Sequence, residues 1–254
     1  MYEYKSIFLQ PTNADEKVWR YMDFSKFVSL LHTRGLFFTR LDRFADPFEG
    51  SSPDFWVNQR ERMLAQIRED PQYTDEKRAE ILASYADVPE TLAALRRTVA
   101  ANCWHLNPDE SMAMWKLYLS SRDGVAIQTT YRRLLESFSQ TTEPINVGCI
   151  SYIDYRNDSI NTNSIDALYM HKLNSFQHER EVRCIIHRYP ENWRDTPLIE
   201  HGYLVPVDLD LLIENIYVAP TSEPWFMNVV NETARRFWKD LKVRRSALDG
   251  TPKY

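Results

Sequence analysis

Glycine is scarce in this chain, at 6 residues in 254. No GxGxxG or GxxxxGK run can be written anywhere, which argues against a Rossmann dinucleotide site and a P-loop nucleotidase. Cysteine is scarcer still: Cys103, Cys149 and Cys184 lie far apart, each in an apolar segment. An odd count with no CxxC or HExxH argues against a disulfide framework and a zinc site, and predicts buried free thiols in a reducing compartment. No window approaches the roughly 18 consecutive apolar residues of a membrane span. Met1 to Gln10 also lacks the basic start and apolar run of a signal peptide. The expectation is a cytoplasmic protein with no membrane partner and no metal. Positive charge is in deficit too. A net charge of −5 excludes nucleic-acid binding by bulk electrostatics and leaves room only for a local basic groove.

Aromatic residues, by contrast, are plentiful: 7 Trp, 14 Tyr and 12 Phe. Residues 1–254 read as one domain, with neither a repeat nor a low-complexity linker to divide them. Strands are expected over Val18–Phe24, Leu36–Thr39, Val99–Leu106, Gly124–Thr129, Ile145–Asp154, Val182–His187, Gly202–Val207 and Ile213–Val218. A helix capped by Ser25 should run to Thr33 and end at Gly35. Further helices are expected over Ser111–Leu119, from Tyr131, and over Pro224–Lys239. Residues 54–97 change character: they are dense in charge, show helical spacing, and are interrupted by Pro71 and Pro89. Three helices forming an insertion outside the sheet fit them best. Strands and helices mix without regular βαβ alternation, so the predicted fold class is α+β, with a mixed, largely antiparallel sheet.

Five places concentrate groups capable of chemistry. The densest is Phe176 to Ile186, where His178, Glu179, Arg180, Glu181 and Arg183 lead into an apolar run. Strand alternation would put Glu179, Glu181 and Arg183 on one face, with the carboxylates ~7 Å apart. Such a pair can stabilise a cationic transition state or supply a base; an edge strand of solvated ion pairs is the equally weighted plain reading. Burial should raise the pKa of Glu181 unless Arg183 or Arg20 pairs with it. His171 and Lys172 precede this segment.

Arg20, between Trp19 and Tyr21, must pair with an acid such as Glu181 or Glu49, face a cleft, or reach solvent, because a desolvated charge is costly. Asp46-Pro47-Phe48-Glu49-Gly50 reads as a turn set by Asp46 and Pro47, but a turn requires neither Phe48 nor Glu49. His105 ends a strand with no Ser or Cys partner for a triad. On a helix, Trp115 and Tyr118 line up with Ser111 and Met114, an arrangement that is more often core than a stacking surface.

Taken in order, WRYMD (19–23), FADPFEG (44–50), CWH (103–105), AMWKLY (113–118), GVAIQ (124–128) and FQHEREVR (176–183) resemble a widespread bacterial and phage family known only as a domain of unknown function. The resemblance spans Val18 to Tyr254. The plan is also distantly similar to the ADP-ribosyltransferase superfamily. That superfamily places an Arg or His on a first strand, a Ser, Thr or Tyr on a second, and a Glu near the start of a late strand. The likeness implies NAD as substrate, Glu181 as catalytic acid and Arg20 as NAD anchor; Glu179, nearer the loop, would orient the acceptor or support Lys172 and Arg183. It implies a ligand contacted by Tyr21, Phe38, Thr39, Phe48, Trp115 and Tyr118. Asp46, Glu49, His105, Lys172 and Arg183 would handle the acceptor, a protein or a nucleic acid, and the biological setting would be a toxin or phage-defence effector. Two alternatives stand beside it. One is a non-catalytic module of a phage-defence or mobile-element system, binding a nucleotide or peptide in an aromatic cleft. The other is a hydrolase or nuclease with Asp46, Glu49 and Glu181 around a divalent ion.

Overall fold

The computed structural model describes residues 2–3, 8–160, 164–188, 200–237 and 242–250. The chain opens with β1 (Tyr2–Glu3), β2 (Lys17–Asp23), α1 (Phe24–Thr33) and β3 (Gly35–Arg40). Three helices follow: α2 (Asp54–Glu69), α3 (Asp75–Ala86) and α4 (Val88–Leu95). Next come β4 (Val99–Leu106), α5 (Met112–Tyr118), β5 (Gly124–Thr130), α6 (Tyr131–Glu136), β6 (Ile145–Cys149), β7 (Ser151–Ile153) and β8 (His171–Leu173). The rest is β9 (Glu181–His187), β10 (Gly202–Pro206), α7 (Leu209–Leu212), β11 (Asn215–Val218), α8 (Pro224–Phe237) and β12 (Val243–Arg245). The last two residues of the helix expected over Pro224–Lys239 lie outside the described residues.

The fold is mixed α and β around a mostly antiparallel sheet. Ten strands form it in the order β1-β6-β9-β4-β2-β5-β11-β12, with β3 on β4 and β10 on β3. Only the outer pairs β1–β6 and β11–β12 are parallel within it. One face carries the main core, where Phe27 of α1, Leu134 of α6, Leu212 of α7 and Phe226 of α8 cover Val18, Val125, Val182 and Ile186. The other face packs a second cluster around Leu41, Tyr169 and Ile185, and an aromatic one of Trp19, Tyr21 and Trp115. Alternation along β9 produces this division: Val182, Cys184 and Ile186 enter the main core, while Ile185 faces the second. Helices α2 and α3 bury no residue, and neither they nor α4 add a strand.

Several boundaries differ from the sequence reading for local reasons. Helix α1 starts at Phe24, so Ser25 is inside it. Asp23 occupies the cap position without a capping bond, its carboxylate accepting from the Ser120 N–H and hydroxyl instead. Arg34, not Gly35, takes the left-handed conformation at the helix end (φ 48°), and Gly35 begins β3. The strand expected over Ile145–Asp154 is broken at Ile150. β7 leaves the main sheet there and pairs in parallel with β8.

Candidate active site

The cavity originates in a split along β4. Its C-terminal end pairs with β2 (Val18 with Leu106, Trp19 with His105), and its N-terminal end pairs with β3 (Thr39 with Ala101, Arg40 with Ala100). Asn102, Cys103 and Trp104 lie between, paired with β9 on one side and with no strand on the other among the described residues. Side chains fill the vacated ladder. Asn102 donates to the Phe37 carbonyl, and Arg20 donates through Nη1 to the Cys103 carbonyl at 2.5 Å. Alternation places Arg20 on the side of Val18 and Met22, over the Trp104 ring at 6.0 Å, and the split opens its guanidinium to the cavity. Burial lowers the Arg20 pKa but leaves it a cation. Among the described residues it has no carboxylate partner, and its Nε and Nη2 groups are bonded to nothing. Of the three alternatives open to Arg20, pairing with an acid such as Glu181 or Glu49 is not the one adopted; it faces the cleft.

Arg183 pairs with both acids instead. It is 0% exposed and saturated: Nε and Nη2 hold the two oxygens of Glu181 at 2.5 and 3.0 Å, Nη1 and Nη2 hold those of Glu49 at 2.7 and 3.0 Å, and Nη1 also reaches the Tyr169 carbonyl. Two bidentate forks on one guanidinium use a geometry that lysine cannot supply. Glu49 reaches it because Gly50 turns at φ 73°, where a Cβ would sit 3.1 Å from both Leu41 and Tyr169. Lys172 closes the network, 2.7 Å from Glu179, 3.3 Å from Glu49 and 3.6 Å from Glu181, with its ammonium 4.6 Å from the Phe176 ring centre.

The two acids of the HEREVR segment are not equivalent. Burial, the largest influence, would raise the pKa of Glu181, but the Arg183 guanidinium, Lys172 and a hydrogen bond from Cys103 together outweigh it and hold the carboxyl down at about 2. Glu181 is thus a fixed anion. Glu179 is shifted upward, because burial outweighs the help it receives from Lys172. Lys172 itself is pushed up despite burial, since Glu181, Glu49 and Glu179 share its charge. One ammonium divided among three carboxylates leaves Glu179 the least compensated. Only its Oε2 is engaged; Oε1 has no partner among the described residues. Glu181 and Arg183 share a face of β9 as expected, but Glu179 does not join them. Arg180 adopts a left-handed conformation (φ 39°), Asn174–Glu179 is a 3₁₀ turn, and the strand begins at Glu181. The Glu181 N–H donates to the Tyr152 hydroxyl, which fixes that start.

His105 stands at the end of β4 with Nδ1 2.6 Å from the Glu179 carbonyl. Burial lowers its pKa, so the ring is neutral at pH 7. Beside it, burial and Glu181 push the Cys103 thiol well up, which removes the thiolate a nucleophile needs.

The cavity holds about 430 Å³, within the range of small-ligand sites. Of the residues singled out from sequence, Arg20, Tyr21, Thr39, Asp46, Glu49, His105, Tyr118, Lys172, Glu179 and Glu181 line it. Four do not. Phe38 is fully buried in the main core against Phe138, and Phe48 is 44% exposed and packs on Tyr155. Trp115 is buried edge-on to Tyr21, donating to Glu110, while Arg183 lies behind the carboxylates it holds. Lys26, Phe44, Cys103, Leu117 and Phe176 also line the cavity; all but Lys26 lie within the quoted motifs, but the sequence reading gives none of them a role in the site. Asp46 is a turn residue as well: Oδ1 accepts from the Phe48 N–H, and Oδ2 is buried without a partner among the described residues. Among the described residues, no group of three or more His, Cys, Asp or Glu can hold a metal ion, and no helix is long and apolar enough to cross a membrane. Comparison with protein-family models, curated proteins and solved structures finds no match.

Proposed function

We propose that the cavity binds NAD and cleaves its nicotinamide–ribose bond, transferring ADP-ribose to an acceptor. One observation carries this reading: an Arg with uncommitted N–H groups shares a cavity with two buried carboxylates, one fixed as an anion and one with a free oxygen. Cleavage develops positive charge on the ribose, and a preorganised anion such as Glu181 stabilises it without reorganising. Glu179 Oε1 is free to accept a ribose hydroxyl, whereas both oxygens of Glu181, the acid implied by the resemblance, are already held by Arg183. Arg20 offers Nε and Nη2 to phosphate oxygens, a planar donor pair suited to them. Tyr118, 41% exposed, and Phe176 supply ring faces for the nicotinamide.

A second reading has its own support. With both Glu181 oxygens held by Arg183, the same cavity suits a module that binds a nucleotide or a peptide without reacting. Incubation with NAD labelled in its adenylate half and a cell lysate separates the two. Transfer of label by the wild type, lost in Glu179→Gln, supports the enzyme; NAD bound but left intact supports the module.

A further inference from the structure

His105 is 6% exposed, lines the cavity, and its Nδ1 lies 2.6 Å from the Glu179 carbonyl oxygen. A carbonyl oxygen only accepts, so Nδ1 carries the hydrogen. In the neutral ring Nε2 then carries the lone pair. Among the described residues no group bonds Nε2. The imidazole is thus anchored in one tautomer by its rear nitrogen and presents a basic nitrogen at the front. Of the neighbouring carboxylates, Glu181 has both oxygens in the Arg183 fork, Glu49 has both in the other fork of the same guanidinium, and the free Oε1 of Glu179 is the acceptor already assigned to the ribose hydroxyl.

We infer that His105 is the general base of the transfer step and that the acceptor is a neutral hydroxyl group. The inference rests on the ADP-ribosyl-transfer reading. The nicotinamide–ribose bond breaks with its electron pair leaving on the nicotinamide nitrogen, which becomes neutral. The acceptor oxygen bonds to the ribose carbon, and its proton passes to His105 Nε2 and then to water. No oxidant or reductant is required. The acceptor class follows from matching base to acid. The Glu179 carbonyl on Nδ1 leaves a neutral imidazole nitrogen as the base. Imidazole can take a hydroxyl proton late, once the new C–O bond has made it acidic, but it cannot deprotonate a guanidinium, whose pKa exceeds 12.

The test follows nicotinamide release and product identity for the full chain with NAD, using methanol as the hydroxyl probe and agmatine as the guanidinium probe. The wild type should form the methyl glycoside of ADP-ribose and no agmatine adduct. His105→Ala should lose on the order of 10²-fold in turnover, with added imidazole restoring at least ~10-fold. His105→Asn is the decisive variant. Its amide N–H can replace Nδ1–H against the Glu179 carbonyl but supplies no nitrogen base, so it should fold as the wild type yet be as slow as His105→Ala. If His105→Asn turns over at the wild-type rate, His105 is a strut for Glu179 and the inference is wrong. An agmatine adduct would overturn the acceptor class. Absence of nicotinamide release by the wild type would remove the transfer reading and this step together, whereas release unaffected by either variant would remove this step alone.

Discussion

On the β9 wall of the cavity, all five N–H groups of Arg183 are bonded and both oxygens of Glu181 and of Glu49 are held. Across from it, on β2 and at the end of β4, Arg20 uses one of its five donors and His105 one of its two nitrogens. The difference separates two uses of charge. A buried ion with every valence filled is structure: it holds the Glu49 turn, β9 and the 3₁₀ segment of Tyr169 together, and removing it strands its partners. A half-buried cation with valences open, as at Arg20, keeps only enough protein contacts to be positioned, and on the proposed reading the remainder bind the ligand. Glu179 lies on the boundary, with one oxygen on Lys172 and the other free.

The comparison breaks most visibly at Arg183. Arg183→Met should cost about 3–5 kcal/mol in denaturant unfolding, because Glu49 and Glu181 remain buried without their partner. A loss below ~1 kcal/mol would show that the saturated wall is not structural. For the same reason Glu181→Gln is a poor functional probe: it takes charge from a fork that Arg183 cannot vacate. Arg20→Ala should behave in the opposite way. Its stability cost should be only about 1–2 kcal/mol, from one charged hydrogen bond, while NAD turnover falls on the order of 10²-fold. Arg20→Lys should keep the stability and recover only part of the turnover, since a point charge replaces a planar fork.

Acid titration sharpens the contrast. The Glu181 pKa is depressed in the folded state to about 2 against an ordinary 4.5. Its contribution to stability is therefore full above pH 4.5 and lost as the pH falls towards 2, where both states are protonated. Unfolding midpoints measured across that window should drop steeply in the wild type and less so in Glu181→Gln. The smallest effect belongs to the outer helices. Lys77 pairs with Glu80 on the exposed face of α3. Lys77→Ala should change stability by less than ~0.5 kcal/mol, measured by the same denaturant titration.

Periodicity and composition made most of the elements legible, because the strands alternate between two buried faces and 54–95 is dense in charge. The site was legible in part. Arg20, Glu179, Glu181 and Lys172 stood out because buried charge next to apolar runs demands an explanation. Arg183 was legible as a partner of Glu181, two residues along the same strand, but its second partner was not: pairing Arg183 with Glu49 across 134 residues depends on a turn at Gly50 that local pattern does not aim. Phe38 was misassigned because alternation gives two faces but not which one is core. The split between β2 and β3, which creates the cavity, has no signature in either strand; it arises from where each stops pairing with β4.

The most direct measurement compares nicotinamide release from NAD by the wild type and by Arg20→Ala, with denaturant unfolding recorded on the same preparations. Steady release by the wild type, and loss of about two orders of magnitude in a variant that remains folded, is the predicted result. An intact NAD pool with the wild type, or equal rates from the two proteins, would contradict it.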